Sequence, residues 1–346
     1  GVPPRMTSPV TEDNDGNGQI DRITVTFDQA VNFTDATGAG DALPGFTLGG
    51  GYTLANFDYG TIAGTTIILR VTESGSPDTE VTPDVVYSRA AGALLDDNGN
   101  EAQDETQTST DGASPVMVSA VTADNDADGQ IDRITLTFSE EVDITDPNGA
   151  GDGLPDFTVA GYTIASVDYT LLNTTTLTLQ LTESGTPDTE VTPLVTYDRE
   201  GDAAENVADN VGNEQRDNDT ETPADGAGPA ITNVTANNDT YIVGENLDFT
   251  VTWHEAVTVS GNPVLRLDIG GVTKNATYTS GSGSTQLVFR YQIQEGDSDP
   301  TDGVTTITPI LLSGGSINQG SNAALLTFTA GTFAGVGAQL QQIIDR

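Results

Sequence analysis

The stretch DNDGNGQIDRITVTF at residues 13–27 returns as DNDADGQIDRITLTF at residues 124–138. Each copy has two halves. The first half sets acidic or amide side chains at alternate positions around a glycine. The second alternates apolar and polar residues with the period of two that a half-buried strand requires. Ile23, Val25 and Phe27 share one face while Thr24 and Thr26 take the other, and Ile134, Leu136 and Phe138 repeat that order. An oxygen-rich loop that opens directly into a strand, twice in one chain, points to an all-β molecule made of duplicated modules.

The duplication extends well beyond this stretch. PGFTLGGGYTLANFDY at 44–59 becomes PDFTVAGYTIASVDY at 155–169, and TESGSPDTEVTP at 72–83 becomes TESGTPDTEVTP at 182–193. The offset, roughly 110–114 residues, is the length of one two-sheet sandwich. A third segment opens similarly with GPAITNVTANND at 228–239, and its TVTWHEAV at 250–257 aligns with TVTFDQAV at 24–31 and TLTFSEEV at 135–142. It then diverges. A second alternating strand runs through Ile67, Leu69 and Val71, then Leu177, Leu179 and Leu181, then Leu287, Phe289 and Tyr291. Short joints rich in small residues and proline, STDGASP at 109–115 and PADGAGP at 223–229, separate the modules. The expected organisation is three tandem immunoglobulin-like β-sandwich domains: repeat 1 at 1–112, repeat 2 at 113–227 and a divergent repeat 3 at 228–346.

The loops have the spacing of a calcium site. In an EF-hand loop, side-chain oxygens at positions 1, 3 and 5 and a backbone carbonyl at 7 surround the ion, and glycine at 6 allows the sharp turn. Asp13, Asp15, Asn17, Gly18 and Gln19 occupy these places in the first copy, and Asp124, Asp126, Asp128, Gly129 and Gln130 in the second. Ile20 and Ile131 follow as apolar anchors, and Asp21 and Asp132 stand at position 9. Position 12 is Thr24 or Thr135 where an EF-hand has glutamate, so at least one ligand must come from elsewhere. The candidates are Glu73, Asp78 and Glu80 with their counterparts Glu183, Asp188 and Glu190, and the turn pairs Asp35 and Asp41 with Asp146 and Asp152. The sequence does not choose among them. A second acidic turn closes each repeat, with Asp96, Asp97, Asn98 and Asn100 in the first and Asp209, Asn210 and Asn213 in the second. In the third segment the loop is reduced to Asn237, Asn238 and Asp239, and Asp297, Asp299 and Asp302 offer a replacement site.

Composition narrows the partners. The 346 residues hold 52 Asp+Glu against 11 Lys+Arg, a formal net charge of −41, which repels the phosphates of nucleic acid and anionic lipid. There is no cysteine to form a disulfide, and Lys274 is the only lysine, so repeats 1 and 2 hold no side-chain amine for an isopeptide cross-link. Metal ions are the remaining staple, and calcium at the concentrations such loops require points outside the cell. No run of 18 apolar residues suggests a membrane span, and Gly1 begins no signal peptide, so the chain is expected to be a mature product or an excised portion of a longer one.

Catalytic groups are few. The single histidine, His254, aligns with Asp28 and Ser139 and is expected at an exposed strand end, with no nucleophile motif around it. Glu140 and Glu141 are adjacent on a strand and therefore point to opposite faces, which prevents them from converging as a glycosidase pair. The expectation is no enzyme. An alternative reading, carbohydrate-binding accessory modules of a secreted protein, would use Tyr59, Tyr169 or Trp253 as a stacking platform for cell-surface glycans.

The first two segments, from DNDGNGQIDRITVTFDQAV through TESGSPDTEVTP to DDNGNEAQ, resemble the immunoglobulin-like extender repeats of large secreted bacterial surface proteins and calcium-dependent adhesins. The third, GENLDFTVTWHEAVTVSGNPVLRLDIGG followed by YTSGSGSTQLVFRYQIQEGD, is similar to another repeat type of such proteins. The resemblance implies a calcium-stiffened stalk, adhesin segment, surface-layer component or extracellular filament subunit at the bacterial cell surface. Its partners would be neighbouring copies or further repeats of the same protein. The tail TFAGVGAQLQQIID suggests pairing with a neighbour's sheet by strand addition.

Overall fold

The computed structural model describes residues 1–34, 43–57, 59–91, 94–144, 154, 156–167, 169–199, 207–237, 241–299 and 303–333. Every regular element among them is a β-strand, and no helix is long and apolar enough to cross a membrane. The chain forms two compact units, one of 1–120, 136–178 and 194–222, the other of 121–135, 179–193 and 223–346. The architecture is tandem β-sandwich repeats.

In the first repeat, strands Met6–Glu12, Arg22–Thr34, Thr61–Thr72 and Thr53–Leu54 lie in that order in one antiparallel sheet. Phe46–Leu48, Asp84–Tyr87 and Glu105–Thr108 form a second. The register places Ile23 opposite Leu69 and Val25 opposite Ile67. Both alternating runs therefore turn the same face inward, toward Phe46, Val85 and Tyr87 from the other sheet. Ile23, Val25 and Leu69 are fully buried, each such side chain contributing about 1.5–3 kcal/mol by leaving water.

The second repeat uses the same plan. Thr163–Ile164, Leu171–Thr182, Arg133–Ile144 and Val207–Asp209 follow one another in one sheet, and Met117–Ala123 also pairs with the long strand Arg133–Ile144. Phe157–Val159, Val195–Tyr197 and Asp219–Glu221 make the other. The aromatic contact across the shorter sheet is repeated too: Phe46 and Tyr87 have ring centroids 5.1 Å apart at 53°, as do Phe157 and Tyr197.

The third segment departs in connectivity. Its described strands join in one hydrogen-bonded network, with Val272–Ser280 pairing both Val264–Ile269 and Ser284–Gln292, and Ile231–Ala236 branching from Asn246–Ser260. One core nevertheless gathers Phe249, Val251 and Trp253 with Leu265, Leu267, Leu287 and Phe289. This continuity is what the divergent sequence after residue 257 encodes: the hairpin Asp268-Ile269-Gly270-Gly271-Val272 turns through left-handed Gly270 and Gly271 (φ 57° and 82°).

Candidate metal centres

In the second copy, one carboxylate oxygen each of Asp124, Asp126 and Asp128 lies within 4.8 Å of the others. A calcium ion with oxygens at 2.3–2.6 Å admits ligand pairs up to about 5 Å apart, so this triad fits a single ion. The loop is held by its own first residue. Asp124 accepts hydrogen bonds from Ala127 N and Gly129 N, both at 2.7 Å, and Asp128 accepts from Gln130 N at 2.9 Å. Asp132 does not face away: its Oδ1 accepts Asn125 N at 3.0 Å and closes the loop base. Gly129 has φ +97°, and a Cβ there would stand 2.6 Å from the Ala230 Cβ, so glycine is required twice over.

The first copy repeats the frame. Asp13 accepts from Gly16 N and Gly18 N at 2.7 Å each, Asn17 Oδ1 accepts Gln19 N at 2.9 Å, and Asp21 accepts Asn14 N at 3.0 Å. Asp15 accepts from Asn17 N at 3.2 Å. Burial raises the Asp13 and Asp124 pKa values against the lowering effect of those backbone hydrogen bonds. An anion held in place while partly stripped of water is a group that gains from a cation.

The structure separates the outside candidates by role. Asp188 is buried and its Oδ1 accepts Ile131 N at 2.8 Å, while its own N–H donates to Gly129 O at 3.0 Å. Asp78 does the same for Ile20 N at 2.8 Å and Gly18 O at 2.9 Å, and also accepts the Tyr52 hydroxyl at 2.7 Å. These aspartates pin the loop to the sandwich. Gln19 and Gln130 add a second pin through their side-chain carbonyls, which accept Gly75 N and Gly185 N. Glu183 is different. Leu181 N donates to Asp132 O at 2.8 Å, which brings the strand end to the loop and leaves exposed Glu183 in the field of Asp128 first, then Asp126, Asp132 and Asp124, so its pKa is raised. The five carboxylates repel one another, with Arg133 Nε 3.9 Å from Asp132 offsetting only part of that, and an ion of charge two would reverse the sign. Val71 N to Asp21 O at 2.9 Å places Glu73 at the matching point of the first repeat.

The other expected residues have different surroundings. Asp297 accepts from Tyr291 Oη at 2.6 Å and Gln294 N at 2.8 Å and ion-pairs with Lys274 at 2.9 Å. Burial pushes its pKa up, but the Tyr291 and Lys274 contacts outweigh it and the net direction is down. Asp299 accepts Gly270 N at 3.1 Å and Gly303 N at 3.3 Å. These two carboxylates tie a turn to the third sandwich and do not form part of a multi-acid cluster among the described residues. Asp302, Asp35, Asp41, Asp146, Asp152, Asn238 and Asp239 lie outside the described residues. Asp96 caps a turn, accepting Asn98 N, Asn100 N and Asn100 Nδ2 at 2.6–2.8 Å.

Two expectations about aromatic and basic residues change. Trp253 is 1% exposed and Tyr169 4%, so neither presents an open ring, and the Tyr59 hydroxyl accepts Arg70 N at 3.0 Å. His254 is not an exposed strand end. Its side chain is 8% exposed because the segment carrying Thr189 and Glu190 packs over it. Glu140 is 4% exposed while Glu141 is exposed, yet both border one cavity, so the pair does not keep strictly to opposite faces.

No protein-family model matches the chain, and no curated protein matches its sequence. Among solved structures it is similar to a three-immunoglobulin-domain fragment of titin, at 9% identity and a TM-score of 0.24, over 96% of this chain and 98% of that one. It is also similar to domains 1–6 of the surface layer protein SbsC, at 15% identity and a TM-score of 0.23, over 90% of this chain and 53% of that one. A bacterial ice-binding adhesin aligns at 14% identity and a TM-score of 0.21, over 89% and 92%. Scores this low do not establish a shared arrangement, and the fold rests on the strand pairing above.

Proposed function

We propose that the chain is a non-enzymatic extracellular structural protein, its three sandwiches at 1–112, 113–227 and 228–346 serving as repeats of a bacterial surface adhesin, surface layer or filament, with calcium held in the loops at 13–21 and 124–132. One observation carries this reading. Both loops are fastened into their sandwiches by the same buried bond, Asp78 to Ile20 N and Asp188 to Ile131 N, each 2.8 Å. A loop fixed in this way transmits the ion's binding free energy to the fold. Residues Asp13, Asp15, Asn17, Gln19 and Asp21, with Glu73 at the strand end, would hold the first ion. Asp124, Asp126, Asp128, Gln130 and Asp132, with Glu183, would hold the second. Strong negative charge and the absence of cysteine accord with a secreted protein that is stapled by ions and avoids nucleic acid and anionic membranes. The test is small-angle scattering of the full chain with calcium and with chelator. The reading predicts a shorter mean length and broader distribution in chelator, and an unchanged profile would overturn it.

A further inference from the structure

The two joints between repeats hold a second set of polar side chains that the loops do not use. At the first joint, within one compact unit, a cavity of about 500 Å³ is lined by Glu80, Asp111, Glu140, Glu141 and Asp209, and its lining includes no Lys, Arg or His. One oxygen each of Asp111, Glu140 and Asp209 lies within 4.8 Å of the others. Glu140 is 4% exposed, and its Oε1 is buried without a hydrogen-bond partner. Nothing in sandwich packing calls for a buried carboxylate aimed at two more acids, since a leucine there would be cheaper to desolvate. Burial first, then Asp111, Asp209 and Glu80, raise Glu140 to about 8, and burial with Asp209 raises Asp111 to about 6. Asp209 also caps its own turn, accepting Gly212 N, Asn213 N and Asn213 Nδ2 at 2.7 Å each, and it stands near enough to Asp111 for the two negative charges to repel.

The same positions recur at the second joint, within the other unit. Thr189, Glu190, Asp225 and Glu255 stand where Thr79, Glu80, Asp111 and Glu140 stand, and His254 replaces Ser139. His254 Nε2 lies 3.2 Å from Glu190 Oε2 and 3.1 Å from Glu255 Oε1. Ligands around tetrahedral zinc at about 2.0–2.2 Å are separated by roughly 3.3–3.6 Å, close to the two imidazole–carboxylate distances here, and one oxygen of each glutamate lies within 4.8 Å of the other. Nδ1 lies 3.1 Å from Ala230 N and 3.2 Å from Ala230 O, so the ring accepts from the one or donates to the other according to tautomer, and the tautomer that donates to the carbonyl is the one that frees Nε2 for a metal. Thr189 Oγ1 sits 2.6 Å from Nε2 and donates to Glu255 Oε1 at 2.9 Å, so a shared ion would displace this hydroxyl or take it as a further oxygen.

We propose that the Asp111–Glu140–Asp209 cavity binds a hard divalent cation of the calcium class, and that Glu190, His254 and Glu255 form its counterpart for a nitrogen-accepting ion of the zinc class. The two halves rest on different observations, a buried carboxylate with one oxygen unpartnered in the first, its other hydrogen bond being to Thr79, and an imidazole between two carboxylates in the second. Neither uses the ligands of the repeated loops. Oxygen-only donors suit calcium, whereas an imidazole disfavours calcium and suits zinc.

Equilibrium dialysis of the full chain against calcium, in about 0.15 M salt to screen diffuse surface charge, tests the first half. Glu140→Gln and Asp111→Asn should each bind one calcium fewer than the parent, and Asp126→Asn with Asp128→Asn should lose a different one, so that the combined variant loses two. An unchanged count in both Glu140→Gln and Asp111→Asn would overturn the cavity site and leave the loop reading intact. For the second half, His254 is the chain's only histidine and its ring resonances report it alone. Zinc should shift them at one equivalent, calcium should not, and His254→Gln should remove that equivalent of zinc. Ring signals unmoved by zinc, or a zinc count unchanged in His254→Gln, would overturn it.

Discussion

Replacing Glu183 by glutamine should change the sign of its effect with the ion. In chelator, Glu183 stands in the field of Asp128, Asp126, Asp132 and Asp124, and Arg133, 3.9 Å from Asp132, offsets only part of it. It is exposed, so water screens each repulsion to a few tenths of a kcal/mol, and relief of all four amounts to about 0.5–1 kcal/mol. Glu183→Gln is therefore expected to be slightly more stable than the parent without calcium. With calcium the same change removes a charged ligand and weakens binding. A tenfold loss of affinity corresponds to about 1.4 kcal/mol of linked stability once the ion is in excess, so the variant becomes the less stable of the two. The assay is urea unfolding of parent and variant in chelator and in about 10 mM calcium, roughly ten times the weakest affinity expected of such modules. A variant less stable by the same amount in both conditions would refute the placement of Glu183 at the ion.

Other outcomes follow from single contacts. Asp188→Ala leaves the fully buried Ile131 segment with an unpaired N–H and should cost about 1–3 kcal/mol with or without calcium, read from the same unfolding curves. Ala127 has φ 64° where the first copy has Gly16 at 78°, so Ala127→Gly should raise stability by about 0.5–1 kcal/mol in thermal melts. In chelator, Glu140 and Asp111 bind protons more tightly folded than unfolded. Their contribution is present below pH 4 and lost as pH rises through about 6 and then about 8, so chelated protein should melt higher at pH 5 than at pH 8. An increase in melting temperature over that interval would contradict it.

The loops were legible in the sequence because the residues that shape them are local: the aspartates and the one glycine that fold each turn lie within nine positions. The core was legible for the same reason, since Ile23, Val25 and Phe27 bury on period alone. Which distant acid serves each loop was not legible. Glu183 and Asp188 are five residues apart in one acidic turn, and only the pairing of Leu181 with Asp132 decides that one faces the loop carboxylates and the other pins the backbone. His254 was misjudged because its burial depends on residues 189 and 190, far away in the chain. Asp297 looked like a ligand because its partner, Lys274, is 23 positions earlier in a strand whose register is not a local property.

The most direct test is calorimetry of the full chain before and after calcium removal. At about 100 times its dissociation constant each loop ion adds roughly 2.7 kcal/mol to its repeat, which in a domain of about 100 residues moves the melting temperature by about 10–20 °C. The account predicts that chelator lowers the unfolding transitions of the first two repeats by that amount and that restored calcium reverses it. Transitions that stay in place with chelator would contradict the claim that calcium fastens these sandwiches.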